Sequence, residues 1–533
     1  MSSHRRPIGS KAKFKRKVVF PKNRSGGMAT PENNPARDGD GDGEQEQEQA
    51  QEQQAYWSAA EQVPAMHLKL PLLIDGHVTE TSRKQLGVAQ MIMKEVSQTP
   101  LPLLERATHV DFLLGPLHNG LSSRYTGLDA SRPWIFYWCI NALTLLGEDV
   151  GRYNERAISS LKPLQHKDGG FGGGNGQSQH MAAVYAVVLT LAITAHHAAR
   201  DLPEAERMDV YARSFSWINR ARLLQWIRRT KLPNGGFKVN EGGEEDVRAG
   251  YCALVTLALL GYDEDELKGD PAQGEKPLLD GVLEYFKRCQ TWEGGIAAKE
   301  NSEAHGGYAF CVLAGLCLLG EPREMLSKYL DLDRFISWLS ARQYAPEGGF
   351  SGRTNKLVDG CYSTWVGGCW ALVEAAANGI ESAGSPVKMH VGSMWSRKAL
   401  IRYILTCCQG PRGGLRDKPG IYPDFYHSNY VLIGLSAAQH YYYYDDDEDD
   451  DEYGGASSAA EGARSPFRHA FRWKASRNVP KPSDPRDGRA GGWEEGLVPS
   501  EEDRVGMQHP LFNIPLGAEA QLESWWRLFK GAQ

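Results

Sequence analysis

The 533-residue chain has no basic start leading into a secretory apolar core, and no run of 18 apolar residues is expected to cross a membrane. Cysteine is sparse. Its nine residues are odd in number and scattered, and several (Cys252, Cys311, Cys317, Cys369) lie inside apolar runs, which excludes a disulfide framework. Together these absences predict a reduced, soluble, cytoplasmic protein. Neither sign of charge prevails. The net charge is −6, but Asp445 to Glu452 alone carries −8, so the remainder is +2 and gives no ground for a nucleic-acid partner.

The ends and one internal stretch lack the composition of a packed core. Residues 1–64 run from a basic start (His4-Arg5-Arg6, then Lys11 to Lys17) into acidic and glutamine repeats, and read as a disordered tail. Residues 441–507 open on four tyrosines and the acidic run, then turn Gly/Ser/Ala/Pro-rich, and read as a disordered insertion. Asp445-Asp446-Asp447-Glu448-Asp449 has the form of a magnesium-binding DDxxD motif, but its low-complexity setting argues for a solvated run. Residues 65–440 are expected to form one domain, which 508–533 closes.

Glycine, in contrast, is plentiful and periodic. A glycine pair followed by an apolar residue recurs at Gly169-Gly170-Phe171, Gly235-Gly236-Phe237, Gly294-Gly295-Ile296, Gly348-Gly349-Phe350 and Gly413-Gly414-Leu415, in steps of 66, 59, 54 and 65 residues, with a degenerate copy at Asn119-Gly120-Leu121. Periods of this size fit a two-helix unit. An amphipathic run precedes the glycines (Val282 to Gln290, Phe335 to Gln343, Leu400 to Gln409). A second run, apolar nearly all round, starts on Tyr185, Tyr251, Tyr308, Tyr362 or Tyr426. One wet-faced helix alternating with one dry helix predicts an all-α fold, an α/α barrel of two concentric layers, rather than a linear solenoid.

Three residues are candidate metal ligands, although a turn Asp, a buried Cys and a core His are the other reading of the same spacing. Asp359 and Cys361 are two apart and His427 lies 66 further on, offering O, S and N donors of the kind a catalytic zinc takes while keeping one position open. A terpene-cyclising barrel would need an acidic D-x-D-D stretch in its ordered core, and a thioester barrel a Gly-Cys-Gly-Glu-Gln stretch; the core has neither.

Six stretches in order carry a family likeness: Arg132-Pro-Trp-Ile-Phe-Tyr-Trp138; Gly169-Gly-Phe-Gly-Gly-Gly with Gly176, Gln177 and His180; Asp246-Val-Arg-Ala-Gly-Tyr251; Glu303-Ala-His-Gly-Gly-Tyr308; Gly352-Arg-Thr-Asn-Lys-Leu-Val-Asp-Gly-Cys-Tyr362; and Gly414-Leu-Arg-Asp-Lys-Pro-Gly420 leading to Asp424-Phe-Tyr-His427. Over residues 65–440 and 508–533 the chain resembles the β subunits of protein farnesyltransferases, of fungal type. The resemblance implies a toroidal α/α barrel and one zinc held by Asp359, Cys361 and His427. The zinc would turn the thiol of a protein's C-terminal Cys-aliphatic-aliphatic-X sequence into a nucleophilic thiolate.

The same resemblance implies farnesyl diphosphate as donor. It places His305, Gly306, Gly307, Arg353, Lys356 and Tyr362 around the diphosphate, with Tyr362 among the catalytic residues and the glycines letting backbone approach the ligand. Asp417 is implied for Mg²⁺ at the leaving group. The tail wall would comprise Arg248, Tyr251, Tyr308, Cys311 and Trp365. Trp134, Trp138 and Tyr426 would line the peptide pocket, and Trp134 and Tyr430 would set tail length, their bulk favouring a fifteen-carbon donor over the twenty-carbon one of type I geranylgeranyltransferases. A helical α subunit is implied as partner, and small GTPases as substrates of the kind. The chain departs from the family at Thr364, where Phe is common, and in longer insertions at 380–395 and 441–507.

Overall fold

The structure, a computed structural model, describes residues 78–97, 100–344, 347–378, 380–381, 388–389, 392–445, 465–480, 493–494, 498 and 500–531. The expected tail at 1–64 lies outside them.

Two layers of helices alternate along the chain. The outer layer comprises Arg106–Asn119, Asn154–Leu161, Arg220–Thr230, Val282–Arg288, Leu332–Ser340 and Arg397–Tyr403. The inner layer comprises Arg132–Leu145, Met181–Ala199, Val247–Leu259, Gly306–Leu319, the broken pair Tyr362–Trp365 and Gly367–Ala377, and Phe425–Gln439. Side-chain pattern explains the sorting. Leu332–Ser340 buries only Phe335, Trp338 and Leu339 and wets its other face. Gly306–Leu319 is buried along nearly its whole length, as a helix packed on all sides must be. Met181–Ala199 corrects the expectation that no apolar span of 18 exists. Among the described residues it is the one helix long and apolar enough to cross a membrane, yet most of it is buried inside the protein.

The glycine pairs close the ring. The first glycine of each pair has positive φ, from 80° at Gly348 to 111° at Gly169, a region that only glycine enters freely. A Cβ there would strike the next outer helix: Arg222 O from Gly169, Gly281 O from Gly235, Arg334 O from Gly294, Ala399 O from Gly348, all within 2.5 Å. A Cβ on the fifth, Gly413, would lie 2.0 Å from Thr108 O on the first outer helix. The inner helices follow suit, Phe425–Gln439 packing against Arg132–Leu145. The last repeat therefore meets the first, which makes a barrel and excludes a solenoid.

A glutamine repeats the clamp. Gln290 Nε2 donates to Gly294 O and Asp331 O while its Oε1 accepts from Asp331 N. Gln343 does the same with Gly348 O and Ser396. Gln409 ties the last repeat to Leu103 O and Glu105 N.

The 441–507 insertion is not wholly disordered, as expected from composition. Tyr441–Tyr444 pairs antiparallel with Trp473–Ser476, and Phe467 and Trp473 are buried. Buried aromatics at 441–442, 467 and 473 outweigh the polar composition around them; residues 446–464 and 481–492 lie outside the described set. Within the 380–395 insertion, Ile380–Glu381 pairs with Lys388–Met389. The segment from Gln508 to Pro515 seats against inner-helix tyrosines, with Tyr137 Oη donating to Asn513 O at 2.7 Å and Tyr251 Oη to Leu511 O at 2.6 Å.

Candidate functional site

Five inner helices begin on one row of residues. His180, Asp246, His305, Asp359 and Asp424 each follow the first glycine of their repeat by 11 residues. Each side chain accepts a backbone N–H of the turn it opens: Ala182, Arg248, Gly307, Cys361 and His427, at 2.7–3.1 Å. The caps satisfy amides that a helix start leaves unpaired. They also gather the positive ends of the inner helices at one mouth of the barrel, which favours anions.

Three of the predicted residues converge there. Ligand atoms of Asp359, Cys361 and His427 lie within 4.8 Å of one another. His427 is held from both sides, its Nδ1 2.7 Å from Asp424 Oδ2 and its Nε2 3.2 Å from Asp359 Oδ1. Burial works to lower the imidazole, but these two carboxylates outweigh it and push it up to about 10. Burial likewise works to raise Asp359, and contact with His427 wins, holding it at about 2. Burial, followed by the charge of Asp359, pushes the Cys361 thiol up. The pocket is thus built to hold positive charge between a carboxylate, a sulfur and an imidazole, and its donor chemistry fits a zinc ion.

The predicted diphosphate residues surround this mouth unevenly. Tyr362 Oη lies 2.9 Å from His305 Nε2. His305 Nδ1 accepts the Gly307 N–H, and burial followed by Arg353 lowers the ring to about 4. The neutral ring therefore carries its proton on Nε2 and donates to Tyr362, leaving the tyrosine O–H free to donate. Arg353 pairs with Glu303, and Lys356 is exposed. The amides of Gly306 and Gly307 are both engaged within the protein: Gly306 N donates to Gly352 O at 2.7 Å and Gly307 N to His305 Nδ1. What glycine provides at 306 is close packing, since a Cβ would lie 2.7 Å from Val366 Cγ2. Asp417 is held beside the cluster by Gly360 N, which donates to Asp417 O at 2.8 Å. Its Oδ2 pairs with Lys418, and its buried Oδ1 has no protein partner.

Below the mouth the predicted aromatics form a continuous wall. Trp134 contacts Trp138 and Tyr185, Trp138 meets Tyr426 edge-on at 5.6 Å, and Trp365 lies 4.4 Å from Tyr430. Tyr185, Tyr251, Phe310 and Trp365 continue it in 5.6–5.8 Å steps. Cys311 is buried. Arg248 is bonded to Asp246, and its guanidinium lies 5.4 Å over the ring of Tyr308, another residue of the expected wall. Tyr185 and Phe310 complete the wall yet were absent from the predicted site, although Tyr185 opens an inner run and Phe310 is two residues beyond the aromatic start of its own. The row of caps was likewise missed, and the constant spacing of 11 was the signal that could have found it.

Residues 104–514 match the prenyltransferase alpha-alpha toroid domain. The chain is 40% identical over 487 residues, 87% of its own length and 84% of the relative's, to the protein farnesyltransferase subunit beta of Pyricularia oryzae. The geranylgeranyl transferase type-1 subunit beta of Arabidopsis thaliana is more distant, 27% identical over 61% of this chain and 76% of that one. A solved structure of Candida albicans protein geranylgeranyltransferase-I with GGPP shares the fold at TM-score 0.51 and 18% identity, covering 79% of this chain and 99% of the other. The chain belongs to the protein farnesyltransferase β-subunit branch of the prenyltransferase alpha-alpha toroid family.

Proposed function

We propose that this chain forms the donor- and thiol-binding half of an enzyme that transfers farnesyl from farnesyl diphosphate to the cysteine of proteins ending Cys-aliphatic-aliphatic-X, working with a helical α subunit in the cytoplasm. The observation that carries the reading is the convergence of Asp359, Cys361 and His427 at the mouth of an aromatic-walled barrel.

In the reaction the substrate sulfur bonds to C1 of the donor, the C1–O bond breaks, and pyrophosphate leaves with the bonding electrons while the thiol proton passes to solvent. Asp359, Cys361 and His427 would hold the zinc. When bound, zinc supplies the Lewis acidity that lowers the pKa of the substrate thiol. Tyr362, its oxygen engaged by His305, aims a free O–H at the mouth, where charge grows on the leaving oxygens. The gathered helix ends, Arg353 and Lys356 reinforce that field. Asp417, with one unpartnered oxygen, is the residue suited to Mg²⁺ with the leaving group. The aromatic wall binds the isoprenoid and excludes water from the reacting carbon.

The test is prenyl transfer by the chain co-expressed with an α subunit, given peptides ending Cys-Val-Leu-Ser and Cys-Val-Leu-Leu with farnesyl and geranylgeranyl diphosphate in competition. Zinc-dependent farnesylation of the Ser-ending peptide is expected. Preference for the twenty-carbon donor would overturn the tail-length assignment of Trp134 and Tyr430. No transfer by an intact, zinc-loaded heterodimer would overturn the function.

A further inference from the structure

The carbonyl of Asp417 accepts two hydrogen bonds from different parts of the ring. Gly360 N donates to it at 2.8 Å and Tyr403 Oη at 2.9 Å, as the two lone pairs of a carbonyl oxygen allow. Gly360 stands between Asp359 and Cys361. Asp417 belongs to the last glycine-pair loop, and that loop is tied to the helix of His427. Leu415 N donates to Ser428 Oγ at 2.8 Å, and Asp424 N to Leu415 O at 3.2 Å. One carbonyl therefore joins the turn that carries two candidate metal ligands to the helix that carries the third.

Tyr403 reaches this carbonyl from the outer layer. It is fully buried and ends the helix Arg397–Tyr403, where the backbone widens into the π-helical turn Ile404–Cys408. Such turns are frequent at functional sites. This one grips the same loop, Arg416 N and Nε donating to Cys408 O and Cys407 O at 2.8 and 3.0 Å. The Tyr403 ring is seated independently of its hydroxyl. It lies over Gly349, where a Cβ would come within 2.9 Å of it.

We propose that Tyr403 is a positioning residue for the metal site. Its hydroxyl, acting through Asp417 O and Gly360 N, fixes the Asp359–Cys361 turn at the distance from His427 that one ion requires. The inference rests on the zinc-site reading given above. The three ligand atoms come from two repeats and meet within 4.8 Å, so a small slip along this seam separates them. Without the hydroxyl, Asp417 O keeps its bond to Gly360 N, and no buried acceptor is left unpaired. The fold then persists while the turn gains freedom. Another seam has the same pair of contacts and supplies the comparison. There Val247 N donates to Ala298 O at 2.8 Å and Tyr285 Oη to the same oxygen at 3.5 Å, with the Tyr285 ring over Gly236. The metal-ligand set belongs to the Tyr403 seam.

The experiment takes the assembled heterodimer with Tyr403→Phe or Tyr285→Phe. It reads zinc retained against a competing chelator, the visible absorption of cobalt(II) loaded in place of zinc, and farnesyl diphosphate affinity. Tyr403→Phe keeps the ring on Gly349 and is expected to lower zinc affinity about tenfold, the lower end of what a lost outer partner of a metal ligand costs. Its cobalt spectrum should change, and farnesyl diphosphate should bind as in the wild type. Tyr285→Phe should keep the wild-type zinc affinity and cobalt spectrum. Should Tyr403→Phe fail to assemble, Gly349→Ala displaces the ring from below and is expected to lower zinc affinity as well. Failure of both to assemble would make Tyr403 a residue of the fold rather than of the site. Wild-type zinc retention and cobalt spectrum in Tyr403→Phe would overturn the proposal, and so would equal losses in the two Phe variants. A heterodimer that holds zinc and answers to Tyr403→Phe but transfers no prenyl group would overturn the proposed function and keep the positioning role. A wild type that holds no zinc would overturn both.

Discussion

Asp424 holds His427 twice: one carboxylate oxygen accepts the His427 backbone N–H at 2.7 Å, and the other lies 2.7 Å from its Nδ1. The first contact starts the helix Phe425–Gln439; the second fixes the ring so that Nε2 faces Asp359 and Cys361. One residue therefore couples helix capping to ligand orientation, the arrangement by which an outer carboxylate tunes a metal-bound imidazole.

Asp424→Asn keeps the cap acceptor but weakens the grip on Nδ1. Zinc affinity is expected to fall about 10- to 100-fold, read as zinc retained against a competing chelator. Cys361→Ala or His427→Ala should lose the metal altogether while farnesyl diphosphate binding stays nearly intact. Wild-type zinc retention by Asp424→Asn would remove Asp424 from any role in orienting the ligand.

Much of this was legible in the chain. Glycine pairs at a steady period carry their own physical reason: with positive φ and a neighbouring carbonyl within 2.5 Å of where a Cβ would sit, glycine is required. The Asp359, Cys361 and His427 set was legible only through the motifs around it, since a D-x-C pair and a distant His by themselves fit a turn, a buried thiol and a core imidazole equally well. Other features were hidden. The partners of Gly306 and Gly307 depend on Gly352 and His305, which no spacing rule brings together. The pairing of Arg248 with Asp246 is likewise given by no periodicity in the chain. Order within 441–507 rests on a few aromatics whose strand partners are 29–35 residues away, and composition averages them out.

Glu519 makes stability depend on pH. It is 3% exposed near the start of the helix Ala518–Gly531. Burial pushes its carboxyl up from 4.5 to about 7, although Gly517 N–H donates to it. The folded state then binds a proton that the unfolded chain has released, so the stabilisation is fully present below about pH 4.5 and is lost as pH rises through about 7. The loss is on the order of 3 kcal/mol. The melting temperature should fall between pH 5 and 8, and Glu519→Gln should flatten that slope. An unchanged slope in the variant would assign the pH dependence elsewhere.

Arg397 and Glu374 form a buried ion pair, each side chain 1% exposed. Arg397 also donates to Ala437 O and His440 O, and Glu374 accepts from Met394 N. Arg397→Met strands the carboxylate and should cost about 3–5 kcal/mol in urea unfolding. Replacing both residues by apolar ones of similar volume should recover part of that loss. If the single and double variants proved equally unstable, backbone contacts rather than charge would dominate here.

Closure of the ring is the property most exposed to a single atom. Gly413 has φ of +83°, and a Cβ on it would lie 2.0 Å from Thr108 O in the first outer helix. Gly413→Ala must therefore push Arg106–Asn119 away or break its own turn; backbone strain alone contributes about 1–3 kcal/mol. Gly120 has φ of +71° but open space around it, so Gly120→Ala carries the strain without the collision and serves as the control. The expected result is a larger loss of stability for Gly413→Ala. It should be accompanied by faster amide hydrogen exchange in Arg106–Asn119, because the seam between last and first repeats is where the barrel would open. Equal effects from the two substitutions would mean that the seam adapts and that closure rests on the inner helices and the Gln409 clamp.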